Sequence, residues 1–395
     1  MAISGKVLGF MEQASWIRKM FEEGIRLKQE HGEENVFDLS LGNPVAEPPA
    51  RLLEVLRQTV MGDAPGQHRY MPNAGFQETR EAVARALSAE CGVAVPAANI
   101  VMICGAAGGL NITLKTLLDP GDEVVVLAPY FVEYLFYADN HGGRTVSVPT
   151  KADFTPDLEA IERAITEKTK AVIINSPNNP TGVVYTREHL QGLADVLRRG
   201  AERVGHPIYL ISDDPYKKIV FDGVETPNIF EFYQDSVYIT SHSKDLAVPG
   251  ERIGYVAVHP ECSDVRDVMA GLIFCNRVLG FVNAPALMQR VVSKVQEVSV
   301  DTEPYRKLRD LLHGELTRIG YEVVRPQGAF YFFPKSPIAD EVAFVNLLAK
   351  HRVLAVPGRG FGTPGYMRLA YCVPGRVVEG AISGLEAAFR EASSL

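Results

Sequence analysis

Between residues 100 and 258 the sequence keeps one rhythm: a short apolar run, a stretch of helical length, then another run. The runs are Ile100–Cys104, Val124–Leu127, Thr145–Val148, Ala171–Asn175, Ile208–Ser212, Val237–Thr240 and Ile253–Val258. Helical patterns fill 107–118, 131–139, 156–166 and 187–203, and another at 76–90 precedes the first run. Short, β-branched strands without polar alternation, separated by helices, describe a parallel sheet covered on both faces. Upstream, residues 9–30 read as an amphipathic helix, with Phe10, Ile17, Phe21, Ile25 and Leu27 among charges. An extended run at 36–40 and breaker-rich turns at Gly42-Asn43-Pro44 and Pro48-Pro49 follow. Downstream come helical segments at 261–274 and 282–319. From residue 321 the text changes, with strand-like runs at Tyr321–Val324, Ala329–Phe333, Val353–Val356 and Met367–Ala370 between helices at 340–350 and from 376. The expectation is an α/β fold: a mostly parallel central sheet in a large domain, 48–290, plus a smaller α+β domain from 1–47 and 291–395.

Size and charge narrow the function classes. A chain of 395 residues suits two or three domains. Its net charge of −8 argues against broad nucleic-acid binding, which needs a basic face. Cys91, Cys104, Cys262, Cys275 and Cys372 are scattered and form no C-x-x-C pair, so they read as buried free thiols. Glu12, Arg18 and Lys19 interrupt the place of a signal-peptide apolar segment, and no uncharged run reaches membrane-span length. A soluble cytoplasmic protein is expected.

The common nucleotide and metal signatures are missing. There is no G-x-x-x-x-G-K-[ST] and no G-x-G-x-x-G after a strand; Gly358-Arg359-Gly360-Phe361-Gly362 has the wrong spacing. No H-E-x-x-H occurs, and the histidines form no ligand cluster, so no metal site is expected.

In a doubly wound sheet, ligands bind beyond the carboxyl ends of the strands. After Cys104 comes Gly105-Ala106-Ala107-Gly108-Gly109, which opens a helix with small residues and free N–H groups suited to a phosphate, or makes a plain tight turn. After Asn175 the turn Ser176-Pro177-Asn178-Asn179-Pro180-Thr181-Gly182 aims Asn179 into the crevice. Asp213 and Asp214 end an apolar strand, where a carboxylate is costly unless paired; one faces a cation, with helix capping by Asp214 the competing account. Ser241-His242-Ser243-Lys244 ends another strand, with Arg252 beyond; that lysine is either a solvated charge or a crevice amine able to attack a carbonyl carbon.

Pyridoxal phosphate requires this set of groups: an amine for a Schiff base, a carboxylate opposite the pyridine nitrogen, donors to the phenolate oxygen, a phosphate cup and an aromatic lid. Lys244, Asp213, Asn179 with Tyr216, the Gly105–Ala107 turn with Arg252, and Phe131 in Pro129-Tyr130-Phe131 supply the types in one chain order.

On these motifs, and on Gly250-Glu251-Arg252, the chain resembles the class I/II, fold-type I pyridoxal-phosphate aminotransferases of the aspartate aminotransferase-like superfamily, from Gly42 to Arg368. The resemblance implies that Lys244 carries the Schiff base, Asp213 holds the pyridinium proton, and Asn179 and Tyr216 bond the phenolate oxygen. Ser241, Ser243, Arg252 and the backbone at Gly105, Ala106 and Ala107 would hold the phosphate, and Phe131 would stack on the ring, with Tyr130 the competing assignment. Tyr70 resembles the tyrosine that reaches the neighbouring subunit's phosphate, which implies a homodimer with shared sites. Arg368 resembles the arginine that clamps the substrate α-carboxylate, with the backbone near Gly42 closing over it. The implied activity moves an α-amino group to a 2-oxo acid, with aspartate or glutamate the first donor. A β-lyase of the same fold, an aminotransferase for alanine, aromatic or branched-chain donors, and a non-catalytic cofactor-binding regulator are the alternatives.

Two departures bear on substrate choice. Ala107 stands about where some relatives carry a lysine that reads the distal carboxylate. Arg277, upstream of Asn283-Ala284-Pro285, lies one residue out of register with a partner-subunit arginine that does so in others; an ordinary surface or interface arginine is the alternative.

Overall fold

The computed structural model describes residues 3–13, 15–62 and 65–394. A two-residue strand β1 (Phe37–Asp38) precedes the central sheet. The sheet comprises β2 (Ile100–Ile103), β3 (Glu123–Ala128), β4 (Arg144–Pro149), β5 (Thr169–Ile174), β6 (Tyr209–Asp213), β7 (Ser236–Ser241) and β8 (Gly254–Val258), in the order β2-β8-β7-β6-β5-β3-β4. β4, β3, β5, β6 and β7 run parallel. β8 belongs to the sheet but runs antiparallel to both β7 and β2. The β7–β8 connection holds only a four-residue helix, His242–Asp245, and one 3-10 turn, Pro249–Glu251. A parallel return needs a crossover long enough to recross the sheet.

Except for β4, the strands lack polar alternation because both faces are dry; β4, at one edge of the sheet, differs from the sequence reading, alternating Thr145-Val146-Ser147-Val148 with only Val148 buried. Ile100 and Met102 point into one core cluster, while Val101 and Ile103 point into the other. A third core joins Met20 and Leu39 to residues from the C-terminal part, among them Phe330, Phe332, Phe344 and Leu385. It packs around β9 (Tyr331–Phe332), β10 (Val353–Leu354), β11 (Val356–Pro357) and β12 (Met367–Ala370). β1 pairs with β10, which ties the N-terminal segment to this part of the molecule.

Several elements differ from the sequence reading. The N-terminal helix is described over Gly5–Gln13 and Ser15–His31; the side chains of Ile17 and Phe21 lie outside the described residues. A helix at Ala50–Met61 starts immediately after Pro48-Pro49, so those prolines open a helix as well as closing a turn. The 282–319 stretch is broken into Ala286–Val292 and Glu303–Ile319, each entered through a proline. Tyr321–Val324 forms no strand; Tyr321 is buried, and its hydroxyl donates to the Leu385 carbonyl at 3.0 Å. The helix after β3 begins at Glu133 and leaves Phe131 in the preceding loop.

Candidate active site

The carboxyl ends of β5, β6 and β7 open into a cavity of about 360 Å³, closed by the N-terminal loop at 41–42 and by Arg368 on β12. Gly42, Ala106, Ala107, Phe131, Asn179, Asp213, Tyr216, Ser241, Ser243, Lys244, Arg252 and Arg368 all line it. Gly105 is not among its lining residues, and Tyr70 and Arg277 lie outside it. Both of those are exposed, Tyr70 at 88%.

At one end the cavity is built for an anion. Gly105 has φ +73 and starts the helix Gly105–Leu117, whose first N–H groups lack helical partners. A Cβ at Gly105 would strike the Arg252 guanidinium, so the turn admits glycine on both conformational and steric grounds. Arg252, itself at φ +50, donates from Nη1 to the Pro249 carbonyl at 2.9 Å. The Ser241 hydroxyl donates to Ser243 Oγ at 3.2 Å beside it.

In the middle stand an amine and a carboxylate. Lys244 follows β7 in the short helix, and its Nζ donates to the Gly42 carbonyl at 2.9 Å. Burial pushes its pKa down to about 8, and the positive charges of Arg368 and Arg252 act in the same direction. Asp213 ends β6; burial pushes its pKa up to about 6, opposed by the hydrogen bond from Tyr134. That hydroxyl donates to Asp213 Oδ2 at 2.6 Å, while the buried Oδ1 has no partner among the described residues.

The strand pleat separates the two adjacent acids. Asp213 faces the cavity. Asp214 turns away, accepts from the Ser212 hydroxyl at 2.7 Å and feels the charge of Lys217, with burial holding its pKa up near 7. Its side chain makes no helix-capping bond; its cation is Lys217 on the far side.

Opposite the anion end, Arg368 is buried between the rings of Tyr331 and Phe361, with ring centroids 4.9 and 4.8 Å from its guanidinium carbon. It donates to Asn179 Oδ1 at 3.2 Å and to the Ser40 carbonyl at 2.6 Å, leaving its Nε without a partner among the described residues. Gly42 has no room for a Cβ, which would overlap the Tyr331 hydroxyl. Tyr216 and Tyr331 share a hydroxyl–hydroxyl bond of 2.9 Å.

The competing aromatic assignments separate in space. Phe131 lines the cavity; Tyr130 is buried against Gly362 and does not reach it.

Sequence reasoning overlooked four polar residues here. Tyr134 and Asn175 hold Asp213, the latter donating to its carbonyl while accepting from the Asn179 N–H at 2.7 Å. Tyr331 and Glu133 line the wall. Glu133 and Tyr134 open a helix just beyond a strand end, the same placement that drew attention to the other candidates.

The matched family is described as "Aminotransferase class I and II" and covers residues 34–385. A probable aspartate/prephenate aminotransferase of Thermus aquaticus is 37% identical, with 84% of this chain and 86% of that protein aligned. The aromatic-amino-acid aminotransferase 2 of Thermococcus litoralis is 31% identical across 96% of this chain and 97% of its own length. Among solved structures, an amino transferase from Eubacterium rectale superposes with a TM-score of 0.96 at 37% identity, covering 99% of both chains. The aspartate aminotransferase of Thermus thermophilus with maleate gives 0.84 at 30% identity, covering 95% and 96%. With its mostly parallel sheet, its strand-end cavity and these relatives, the chain belongs to the class I and II aminotransferases.

Proposed function

We propose that this aminotransferase binds pyridoxal phosphate in the strand-end cavity and moves the α-amino group of an amino acid to a 2-oxo acid. The observation that carries the reading is the pairing of a buried, half-satisfied carboxylate with an amine of lowered pKa in one cavity. The cavity fits the cofactor: the bare Oδ1 of Asp213 suits a protonated ring nitrogen, and the Gly105 turn with Arg252, Ser241 and Ser243 suits a phosphate. Ala106 and Ala107 contribute backbone there, and Phe131 supplies an aromatic face. When bound, the cofactor supplies an aldehyde for amines and a cationic ring that withdraws electrons from the substrate Cα.

Each protein group then has a task. Lys244, neutral above about pH 8, is the amine that holds the aldehyde and, once released, the base that takes and returns the Cα proton. Asp213 keeps the ring nitrogen protonated, and Tyr134 and Asn175 fix its position. Asn179 and Tyr216 orient the ring's oxygen side. Arg368 meets the α-carboxylate with a planar fork that lysine lacks, under the backbone at Gly42.

Acidic donors come first because relatives from Thermus and Thermotoga carry aspartate in their names. Arg277 of the partner subunit would meet the distal carboxylate, and Tyr70 of the partner subunit would reach the phosphate; the exposure of both residues supports a shared-site homodimer. The test has two parts. Borohydride reduction and peptide mapping should place the cofactor on Lys244, and Lys244→Ala should abolish turnover; label on another lysine overturns the mechanism. A panel of donors with and without a second 2-oxo acid should show turnover that depends on the acceptor. Ammonia release without an acceptor would favour a β-lyase instead.

A further inference from the structure

Amino transfer in two halves makes one pocket accept two different side chains in turn. The proposed function accounts for the groups that bind the cofactor and the α-carboxylate, and offers an acidic side chain one cation, Arg277 of the partner subunit. One charged group on the cavity wall remains without a task. Glu133 is the first residue of the helix Glu133–Asn140 and lines the cavity with Arg368 and Asp213. Its Oε2 is buried and has no hydrogen-bond partner among the described residues. The helix terminus favours a carboxylate at this position. Glu133 accepts from its own backbone N–H, which leaves Oε2 unused. Arg368 is the cation whose charge reaches it, yet Arg368 gives its own bonds to Asn179 and Ser40. Burial accordingly holds the Glu133 carboxyl above its ordinary pKa.

A bare carboxylate beside the α-carboxylate clamp weakens the clamp unless another part of the substrate compensates. The α-carboxylate is taken by Arg368, and the ring edge by Asp213. The part left for Glu133 is the substrate side chain. We infer that Glu133 reads that side chain, and that the second amino acid of the exchange carries a hydrogen-bond donor there: an amide, hydroxyl or ammonium group. Such a donor completes Oε2, whereas a distal carboxylate is repelled and depends on a cation from elsewhere. This rests on the aminotransferase reading and adds to it the class of the second substrate.

Matched pairs isolate the effect, because glutamine and glutamate, or asparagine and aspartate, differ only in exchanging an amide for a carboxylate. The readout is the ratio of kcat/KM for the amide to that for the acid. Glu133→Gln is expected to lower this ratio roughly 100-fold, as a charged hydrogen bond is lost on one side and a repulsion on the other. Glu133→Asp, which keeps the charge, should retain the wild-type direction of preference. Calorimetry provides a readout independent of turnover: the ratio of succinamate to succinate affinity should fall from wild type to Glu133→Gln, whatever preference the wild type starts from. Unchanged ratios in Glu133→Gln overturn the inference. So do equal losses for glutamine, glutamate and alanine, which would place Glu133 in the α-carboxylate clamp or the fold. If wild type turns over no amino acid, the amino-transfer reading falls, and the succinamate comparison still decides what Glu133 recognises.

Discussion

Asp213 gives one oxygen to Tyr134 and leaves the other bare at a fully buried position. Its pKa, raised to about 6 by burial, makes the folded state hold a proton that the unfolded chain has released. The group's contribution to stability is therefore full below about pH 4 and is lost as pH rises through 6. Asp213→Asn removes that burden. The cofactor-free protein at pH 8 is expected to gain on the order of 2 kcal/mol, read as a higher Tm, with no gain at pH 4. The same substitution should cut half-reaction rates by orders of magnitude while substrate affinity changes less. Near-normal rates would show that no carboxylate at 213 is needed. Lys244 shifts the other way: its pKa, lowered to about 8, leaves the unfolded chain more protonated between 8 and 10.5, so its contribution to stability rises with pH across that window. Capture of the cofactor by the free protein should accelerate with pH and level off just above 8, measured by stopped-flow absorbance; a plateau near 10.5 would mean that the amine is solvated.

The helix Gly105–Leu117 is the element that carries the anion end, and it lies close on the sheet. A Cβ at Gly109 would come within 2.5 Å of Ile103 and 2.7 Å of Ile239. Gly109→Ala should lift the helix from the sheet, costing about 1–3 kcal/mol and weakening phosphate binding at its N-terminus, seen as a lower Tm and a higher cofactor Kd. A lower Tm with unchanged Kd would separate packing from the site. This element also shows what the sequence discloses. In the sequence, Gly105-Ala106-Ala107-Gly108-Gly109 reads as either a phosphate cup or a plain tight turn; the structure adds that Gly105 lies against the Arg252 guanidinium and Gly109 against Ile103. Asp213 was legible as a polar residue ending an otherwise apolar run, and Asn179 and Lys244 as polar residues in the turns just beyond such runs; Asn175, which ends one of them, reads as part of the strand. Tyr331 was not legible: Ala329–Phe333 reads as core, and only the fold turns one hydroxyl of that run toward Tyr216. The direction of β8 was hidden too, since its composition matches its parallel neighbours and only the short connection reverses it. Tyr321–Val324 shows the converse, an apolar run whose residues pack without forming a ladder.

On the scale of the molecule, some candidates point outward. Tyr70 is 88% exposed, and Arg277 stacks its guanidinium near the exposed ring of Phe274 at 5.6 Å. Exposed aromatic side chains of this size are what a subunit interface covers. Tyr70→Phe is expected to weaken cofactor binding by about 1–2 kcal/mol, the worth of one hydrogen bond to a charged acceptor, without altering the fold. Sedimentation at assay concentration should find a dimer, and a fully active monomer would remove the shared-site idea. Arg277→Ala should depress kcat/KM for aspartate or glutamate about 100-fold and leave alanine little changed, given about 3 kcal/mol for a desolvated charged pair. Equal losses for both donors would make Arg277 structural.

The loop at Ser40–Gly42 touches two of these groups at once: the Ser40 carbonyl accepts from Arg368, and the Gly42 carbonyl accepts from Lys244. Both are groups that incoming molecules must engage, so loading the cavity competes for two of the bonds that hold the loop, while those to Asp38 and Cys372 stay in place. Filling the cavity is therefore expected to loosen this segment. Val45, 52% exposed just downstream, is a place to listen. Four of the five native thiols are buried and the fifth is partly shielded, so a dye on Val45→Cys would report filling and emptying of the cavity in real time.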